Sequence, residues 1–229
     1  MSETVRQMFA EIAPRYDTTN TILSFGIHHL WRRRAVQESG AAPRDRVLDC
    51  ATGTGDLALA FKRAVGPEGV VVGTDFCAEM LEHAPAKARA AGLEVEWEVQ
   101  DAMNLTFTAS SFDVASISFG IRNVDDPVRA LRSMARTVRS GGRVVVLEFG
   151  QPRGAFGSLF RWYSDNVIPR IGGLVTGEPE AYAYLNRTSS AFPCGEEFLA
   201  LMDEAGGFSE RRAISMTGGI CWLYVGTVA

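Results

Sequence analysis

The chain has 229 residues, 46% hydrophobic and 22% charged, close to average globular usage. That excludes a disordered, collagen-like or tail-like protein, and a chain of this length buries roughly 70% of its unfolded surface, so its core needs neither metal nor disulfide. Lys and Arg total 23 against 27 Asp and Glu, a net charge of −4, so bulk charge does not point to nucleic acid.

Residues 4–37 read as helical, interrupted at Pro14. Thr18 to Asn20 offer N-cap chemistry to the second part, and Gly40 offers a stop. The pattern then changes. RVLDC (46–50) is a short apolar run before a Gly-rich turn and reads as a buried strand. A helix over 56–66, a strand over 69–76, a helix over 78–92 containing Pro85, and an alternating strand over 94–101 follow. A strand over 112–120, a helix over 126–142 closed by paired glycines, and a long apolar strand over 143–150 complete the alternation. Such alternation predicts a mostly parallel sheet with helices on both faces. Residues 154–191 are rich in aromatics and show no obvious strand. One more helix spans 196–208, and two strands around Gly218-Gly219 form a hairpin. A single domain over 1–229 is expected, with an N-terminal helical cover (1–40), a cofactor-binding core (41–150), a covering insertion (151–195), and a final helix and hairpin (196–229).

Cys50, Cys77, Cys194 and Cys221 form no CxxC pair and no Cys/His metal spacing, and no secretory leader pattern precedes them. They are expected to be reduced thiols of a cytoplasmic protein, with no metal site. No apolar run reaches the roughly 20 residues that span a bilayer.

The most informative string is VLDCATGTGD, residues 47–56. Gly53, Gly55 and Ala58 satisfy G-x-G-x-x-[GA] between a strand and a helix, which is a nucleotide-type loop. Asp75 follows Gly55 by 20 residues at the end of the next strand, where a carboxylate can accept both hydroxyls of a ribose. A pyrophosphate sits on a bare helix N-terminus. Here Asp56 opens the helix as a cap and Asp49 ends the strand, and two carboxylates suit a cationic cofactor better. S-adenosyl-L-methionine, with its sulfonium and α-ammonium groups, fits. The plainer alternative makes Asp56 only a cap and Asp49 only an acceptor for loop N–H groups. Asp101, after the third strand, can accept from an adenine amine or simply close a turn. Phe76 can cover an adenine face or simply fill the core.

With VLDCATGTGD, FAEIAPRYDTTNTILSFGIHHLWRR (9–33), ISFGIRNVDD (117–126) and LRSMARTVRSGGRVVVLEF (131–149), the chain resembles the class I S-adenosylmethionine-dependent methyltransferases. It is similar, almost end to end, to their quinone-biosynthesis branch, which C-methylates demethylmenaquinone and a polyprenyl benzoquinol. The loop at 47–56 is generic to the superfamily, whereas ISFGIRNV and the N-terminal pattern are specific. The resemblance implies a Rossmann-like α/β fold, with a seven-stranded mostly parallel sheet, an antiparallel last strand, helices on both faces and helical lid elements. Carried over by motif, cofactor contacts fall on Thr54, Asp75, Asp101, Ala102 and Ser118, beside Asp49, Gly53, Gly55 and Phe76 from the loop reading.

The implied reaction is C-methylation of a prenylated quinol, demethylmenaquinol first. Alternatives are a polyprenyl benzoquinol, a non-prenylated phenol, a nucleotide-binding redox protein and an inactive methyltransferase-like binding module. Carbon methylation needs a ring made electron-rich by loss of a phenolic proton, held in line with the sulfonium methyl and away from water. Arg122 and Asn123 follow the fourth strand at the ligand-binding edge and are the catalytic candidates, Arg122 as an electrostatic stabiliser because it remains protonated. The alternative pairs Arg122 with Asp125 or Asp126 and makes Asn123 a helix cap. Tyr16, Tyr163 and Tyr182 are the substrate-binding candidates. His28 and His29 are more simply structural, and His83 solvated. Glu148 is either an acid/base group or a capping one. Partner expectations are the polyprenylated quinol, a peripheral membrane contact through 156–175 and WRRR (31–34), and a homodimer, with no nucleic acid.

Overall fold

The computed structural model describes residues 3–176 and 179–229, apart from the side chains of 3, 4, 175, 176, 179, 180, 182 and 183. Its seven strands are β1 (Arg46–Cys50), β2 (Val70–Asp75), β3 (Glu96–Val99), β4 (Phe112–Ser118), β5 (Val138–Phe149), β6 (Phe208–Met216) and β7 (Cys221–Val228). They form one sheet in the order β3-β2-β1-β4-β5-β7-β6. Strands β1 to β5 run parallel, and β7 lies antiparallel between β5 and β6. The order reverses between β1 and β4, the switch point at which open α/β sheets bind ligands beyond their strand C-termini.

The period-2 alternation of the strands divides the core in two. Val47, Val145, Leu147, Leu223 and Val225 face α3 (Ile27–Ser39) and α4 (Asp56–Val65), through Trp31, Ala35, Leu57 and Phe61. Leu48, Val144, Val146 and Tyr224 face α7 (Pro127–Thr137) and α11 (Glu196–Ala205), through Leu131, Met134, Phe198 and Met202. Each fully buried side chain of this size stabilises the fold by about 1.5–3 kcal/mol. Helices α5 (Ala78–Leu81) and α6 (Ala84–Ala90) divide the predicted 78–92 helix, with Pro85 in the first turn of α6, where no N–H is needed.

Three expectations change. The Thr18–Asn20 stretch does not cap a helix. It lies inside α2 (Tyr16–Leu23), after α1 (Glu3–Ile12) and a 3-10 turn at Pro14. The break comes instead at Phe25 and Gly26, both at positive φ, and α3 begins after them. The helix read over 126–142 ends at Thr137, where the β-branched pair Thr137-Val138 turns the chain into β5. The paired glycines lie within β5, where the register with β4 shifts: Gly141 has φ 76°, and a Cβ on Gly142 would come within 2.5 Å of the Asp113 carbonyl. They bulge a strand rather than close a helix. The aromatic-rich insertion holds α8 (Gly154–Asn166), α9 (Ile168–Thr176) and α10 (Pro179–Ala191). Along with α2 and α3, these helices wall a cavity above the strand ends.

Candidate active site

Two cavities open at the C-terminal edge of the sheet. The smaller, about 70 Å³, is lined by Gly53, Asp75, Phe76, Asp101, Ala102, Ser118 and Asn123, with Ala51, Met80, Phe9 and Gly120. The larger, about 630 Å³, takes Arg122 and Tyr163, with His28, Trp31, Phe149 and residues of α8 and α10. Tyr16 and Phe119 line both and so form the partition between them.

The loop after β1 explains itself locally. Gly53 sits at φ 57° and Gly55 at φ 86°, and a Cβ on Gly55 would meet the Trp97 ring at 2.6 Å. Conformation and space therefore both demand glycine there. The Gly53 amide donates to Asp75 Oδ2 at 2.7 Å and the Cys77 amide to Oδ1 at 2.8 Å, which fixes the carboxylate at the strand end. Burial pushes Asp75 up to about 6, against those backbone donors. Asp101 caps its 3-10 turn by accepting from the Met103 amide at 2.9 Å. Two non-glycine residues at the strand ends, Ala51 (φ 46°) and Phe119 (φ 55°), hold left-handed backbone. Such strain, about 1–3 kcal/mol per residue, persists where surrounding structure imposes it and clusters at ligand sites. The sequence reading missed Phe119; a phenylalanine between Ser118 and Gly120 carries no signal of positive φ.

Other predicted cofactor residues lie apart from the cavity walls. Asp49 is buried under the loop, accepting from Thr52 Oγ1 at 2.6 Å and Ser116 Oγ at 2.7 Å, and burial raises it to about 6. Thr54 donates to Asp17 Oδ1 at 2.6 Å, tying the loop to α2. Gly55 is the N-cap of α4. Asp56 does not cap that helix. Its carboxylate pairs with Arg32 Nη1 at 2.8 Å and with Lys87, which also pairs with Asp17. The electrostatic argument from two carboxylates therefore fails at Asp56, whose charge two cations already offset.

Arg122 does not pair with the nearby Asp126, which instead caps α7 by accepting from the Arg129 amide at 2.9 Å. Arg122 Nη1 donates to the Phe119 carbonyl and to Glu148 Oε1, both at 2.7 Å, and the guanidinium carbon lies 5.3 Å from the centroid of the Phe149 ring. Glu148 lines neither of these two cavities and accepts from the Phe149 amide, within its own strand. Phe119 and Phe149 rings meet at 4.4 Å, and Trp31 packs on both, anchored by its indole N–H to Thr217 Oγ1 at 2.9 Å. Tyr163 donates from its hydroxyl to the Leu23 carbonyl at 3.1 Å, joining α8 to α2, and desolvation raises its phenol. Desolvation raises the Tyr16 phenol as well, opposed first by Arg122. The Tyr182 side chain lies outside the described residues.

His28 is buried, and burial and the Arg32 charge lower it to about 4. Ser24 Oγ lies 2.6 Å from the Asn20 carbonyl, to which it donates, and 2.5 Å from His28 Nδ1. Having spent its one hydrogen, the hydroxyl must accept from Nδ1–H, so the His28 ring carries a proton on Nδ1.

A model of the ubiE/COQ5 methyltransferase family matches residues 1–228. The chain belongs to the ubiE/COQ5 methyltransferase family. It is 57% identical over 227 residues to the ubiquinone/menaquinone biosynthesis C-methyltransferase UbiE of Bdellovibrio bacteriovorus, covering 99% of this chain and 96% of that one. It is 48% identical over 221 residues to the demethylmenaquinone methyltransferase of Thermus thermophilus, covering 96% and 99%. Among solved structures it resembles a SAM-dependent methyltransferase from Thermotoga maritima, at TM-score 0.68, 22% identity and coverage of 97% and 99%. That likeness speaks for the Rossmann-like fold alone; it is membership of this methyltransferase family that makes S-adenosylmethionine the cofactor. The residues present fit that molecule. Ser118 Oγ and Asn123 Oδ1 are buried without a partner, and both residues line the smaller cavity. Buried polar atoms in that state cost about 1–3 kcal/mol until something satisfies them.

Proposed function

We propose that this methyltransferase C-methylates the ring of a prenylated quinol, with demethylmenaquinol as its substrate. The observation that carries the reading is the division of labour at 122–123: Asn123 lines the smaller cavity and Arg122 the larger, on either side of the Tyr16–Phe119 partition. A cofactor site and a substrate chamber whose wall carries Tyr16, Trp31, Phe119 and Phe149 thus meet at one turn. The relatives named demethylmenaquinone methyltransferase, at 48% and 45% identity, favour the naphthoquinol. The benzoquinol is the second reading, because the Bdellovibrio relative's name covers both quinones.

S-adenosylmethionine supplies a methyl group on a positively charged sulfur. Asp75 would hold the ribose, and Asp101 with Ala102 the adenine side. On the substrate side, Phe119, Phe149 and Trp31 offer flat apolar walls to a quinol ring and exclude water. Arg122 would stabilise the phenolate left when the quinol hydroxyl loses its proton, which makes the adjacent ring carbon nucleophilic. Tyr16, between the cavities, would orient the ring. The ring carbon would take the methyl as the sulfur–methyl bond breaks, with S-adenosylhomocysteine as the leaving group, and would then give up its hydrogen as a proton.

A polyprenyl tail needs an apolar route. Ile22, Phe25 and Leu30 on the α2–α3 side and Phe156, Leu159, Trp162 and Leu174 on α8 and α9 are exposed. The two groups meet where the Phe25 and Tyr163 rings lie 6.2 Å apart, on the larger cavity's wall. Exposed Arg33, Arg161 and Arg170 lie among them. A peripheral contact with an anionic membrane fits this composition; among the described residues no helix is long and apolar enough to cross one. The deciding experiment supplies labelled S-adenosylmethionine with demethylmenaquinol, a polyprenyl benzoquinol, or a simple phenol. Label entering only the naphthoquinol supports the assignment; label entering neither prenylated quinol overturns it. Phe25→Ser combined with Trp162→Ser should reduce sedimentation with anionic vesicles while leaving cofactor affinity in place; unchanged sedimentation would remove the membrane face.

A further inference from the structure

Glu148 is a buried ionisable group, in contact with Arg122, that the reaction above leaves unused. It ends β5 at 1% exposure and faces Arg122, itself 3% exposed, across 2.7 Å. Burial raises Glu148, with Arg122 the main opposing influence. Its Oε1 also accepts from the Phe149 amide at 2.8 Å, so the carboxylate cannot swing away without losing two donors. Its Oε2 has no partner, nor does Arg122 Nε. Arg122 Nη1 is fully occupied by Glu148 and the Phe119 carbonyl, and the Phe149 ring lies against the guanidinium. One end of the fork is clamped, which fixes the guanidinium at the wall of the chamber Arg122 lines.

Such a pair does two things at once. It fixes the plane of the guanidinium, and its negative charge cancels part of the field that Arg122 presents to the chamber. A buried ion pair is weak evidence for stability, since apolar residues often pack as well or better. A carboxylate whose second oxygen is buried without a partner is a poor choice for stability alone. We propose that Glu148 is a positioning residue which both aims Arg122 and attenuates its charge, setting the pH at which the quinol becomes a phenolate. The proposal rests on the reading of Arg122 as the phenolate stabiliser. The other titratable groups packed against Glu148 are Cys221 and Tyr224 on β7, and burial together with the Glu148 charge keeps both neutral. Arg122 is therefore the charged partner through which a change at Glu148 acts.

The test is Glu148→Gln, whose amide oxygen can still accept from Nη1 while the charge is gone. Freed of the neighbouring anion, Arg122 should favour the phenolate more. The acid limb of the kcat–pH profile should move about one unit lower, with S-adenosylhomocysteine affinity within about twofold of the parent. Glu148→Ala, which loses the aim as well, should lower kcat about 100-fold at the same cofactor affinity. A folded Glu148→Gln enzyme whose limb stays in place overturns the proposal, whether or not its melting temperature drops, because a merely structural carboxylate predicts that result. Should Glu148→Gln not fold, Glu148→Asp draws the charge back from Arg122: an acid limb moved lower supports the proposal, and a limb in place overturns it. Arg122→Lys with unaltered turnover would defeat the underlying reading of Arg122, a failure distinct from an immobile limb in the Glu148 variants.

Discussion

At the scale of single residues, Asp75 gives the sharpest expectations. Asp75→Ala removes a carboxylate from a ribose-binding position while its folding contacts are two backbone amides. Loss of charge-assisted hydrogen bonds should weaken S-adenosylhomocysteine binding by roughly 1.5–3 kcal/mol, read by calorimetry on a folded variant. The pH dependence has a definite sign. Burial sets Asp75 at about 6 against 3.8 for a free carboxyl, so folding takes up a proton between those values. The cost of burying the charge is present above about pH 6 and fades as pH falls toward 4, so this group stabilises the fold on acidification. A hydroxyl pair needs the ionised form as acceptor, so cofactor affinity should fall over the same interval. Calorimetry from pH 7.5 to 5 should show that decline in the parent and a flat profile in Asp75→Asn. Gly53, Asp75 and Asp101 were legible from a loop motif and strand ends, and Ala102 and Ser118 only through the family resemblance; all five line one cavity. The sequence could not show where side chains go: Thr54 turns to Asp17 and Asp49 dips beneath the loop. Nor could it show the partner of Arg122, since Glu148 is 26 residues away and meets it only through strand pairing.

At the scale of elements, the alternation of strands and helices was readable from hydrophobic period, but boundaries set by tertiary contact were not. The paired glycines at 141–142 look like a helix stop and work as a strand bulge, because β4 approaches too closely for any Cβ at Gly142. The N-terminal helices are the other case: charge as well as apolar packing fastens them. Arg32 of α3 and Asp17 of α2 reach Asp56 of α4 and Lys87 of α6, a four-membered network across four helices. The Asp56 carboxyl is held below its usual range by Arg32 and Lys87, against desolvation. These side chains are partly exposed, and such pairs are worth roughly 0.2–1 kcal/mol each. Lys87→Met should therefore lower the melting temperature by only about 2–4 °C per kcal/mol lost. Its larger effect should be local. Amide hydrogen exchange across residues 16–23 should quicken while that of β1 and β4 holds. Equal protection of α2 in both proteins would show that packing, not this network, seats the helix.

At the scale of the whole molecule, the two cavities are unequal in a way that bears on how the enzyme works. A small-molecule pocket holds about 300–1,000 Å³, a range the larger chamber meets and the smaller, at about 70 Å³, does not. Phe9 of α1, Tyr16 of α2 and Met80 of α5 wall the smaller cavity, so these are the elements whose displacement would widen it. Helices α1 and α2 are the natural ones. Phe9 and Ile12 of α1 pack in a separate cluster with Cys77 and Met80, outside both faces of the sheet core. Helix α3 differs, because Trp31 and Ala35 belong to the main core, and a cut after residue 36 would remove both and threaten the sheet. The informative truncation therefore ends at residue 23, leaving α3 whole. Without α1 and α2 the cofactor cavity loses its cover and the substrate chamber loses Tyr16, Asn20 and Leu23 from its wall. The shortened protein should keep a cooperative unfolding transition and still bind S-adenosylhomocysteine, with a dissociation rate at least tenfold faster by stopped flow. Turnover of a prenylated quinol should fall by two decades or more, since the ring is neither oriented nor shielded. A truncated enzyme that releases cofactor no faster and turns over normally would show that α1 and α2 are not the cover, and would shift the opening motion to Met80 and α5.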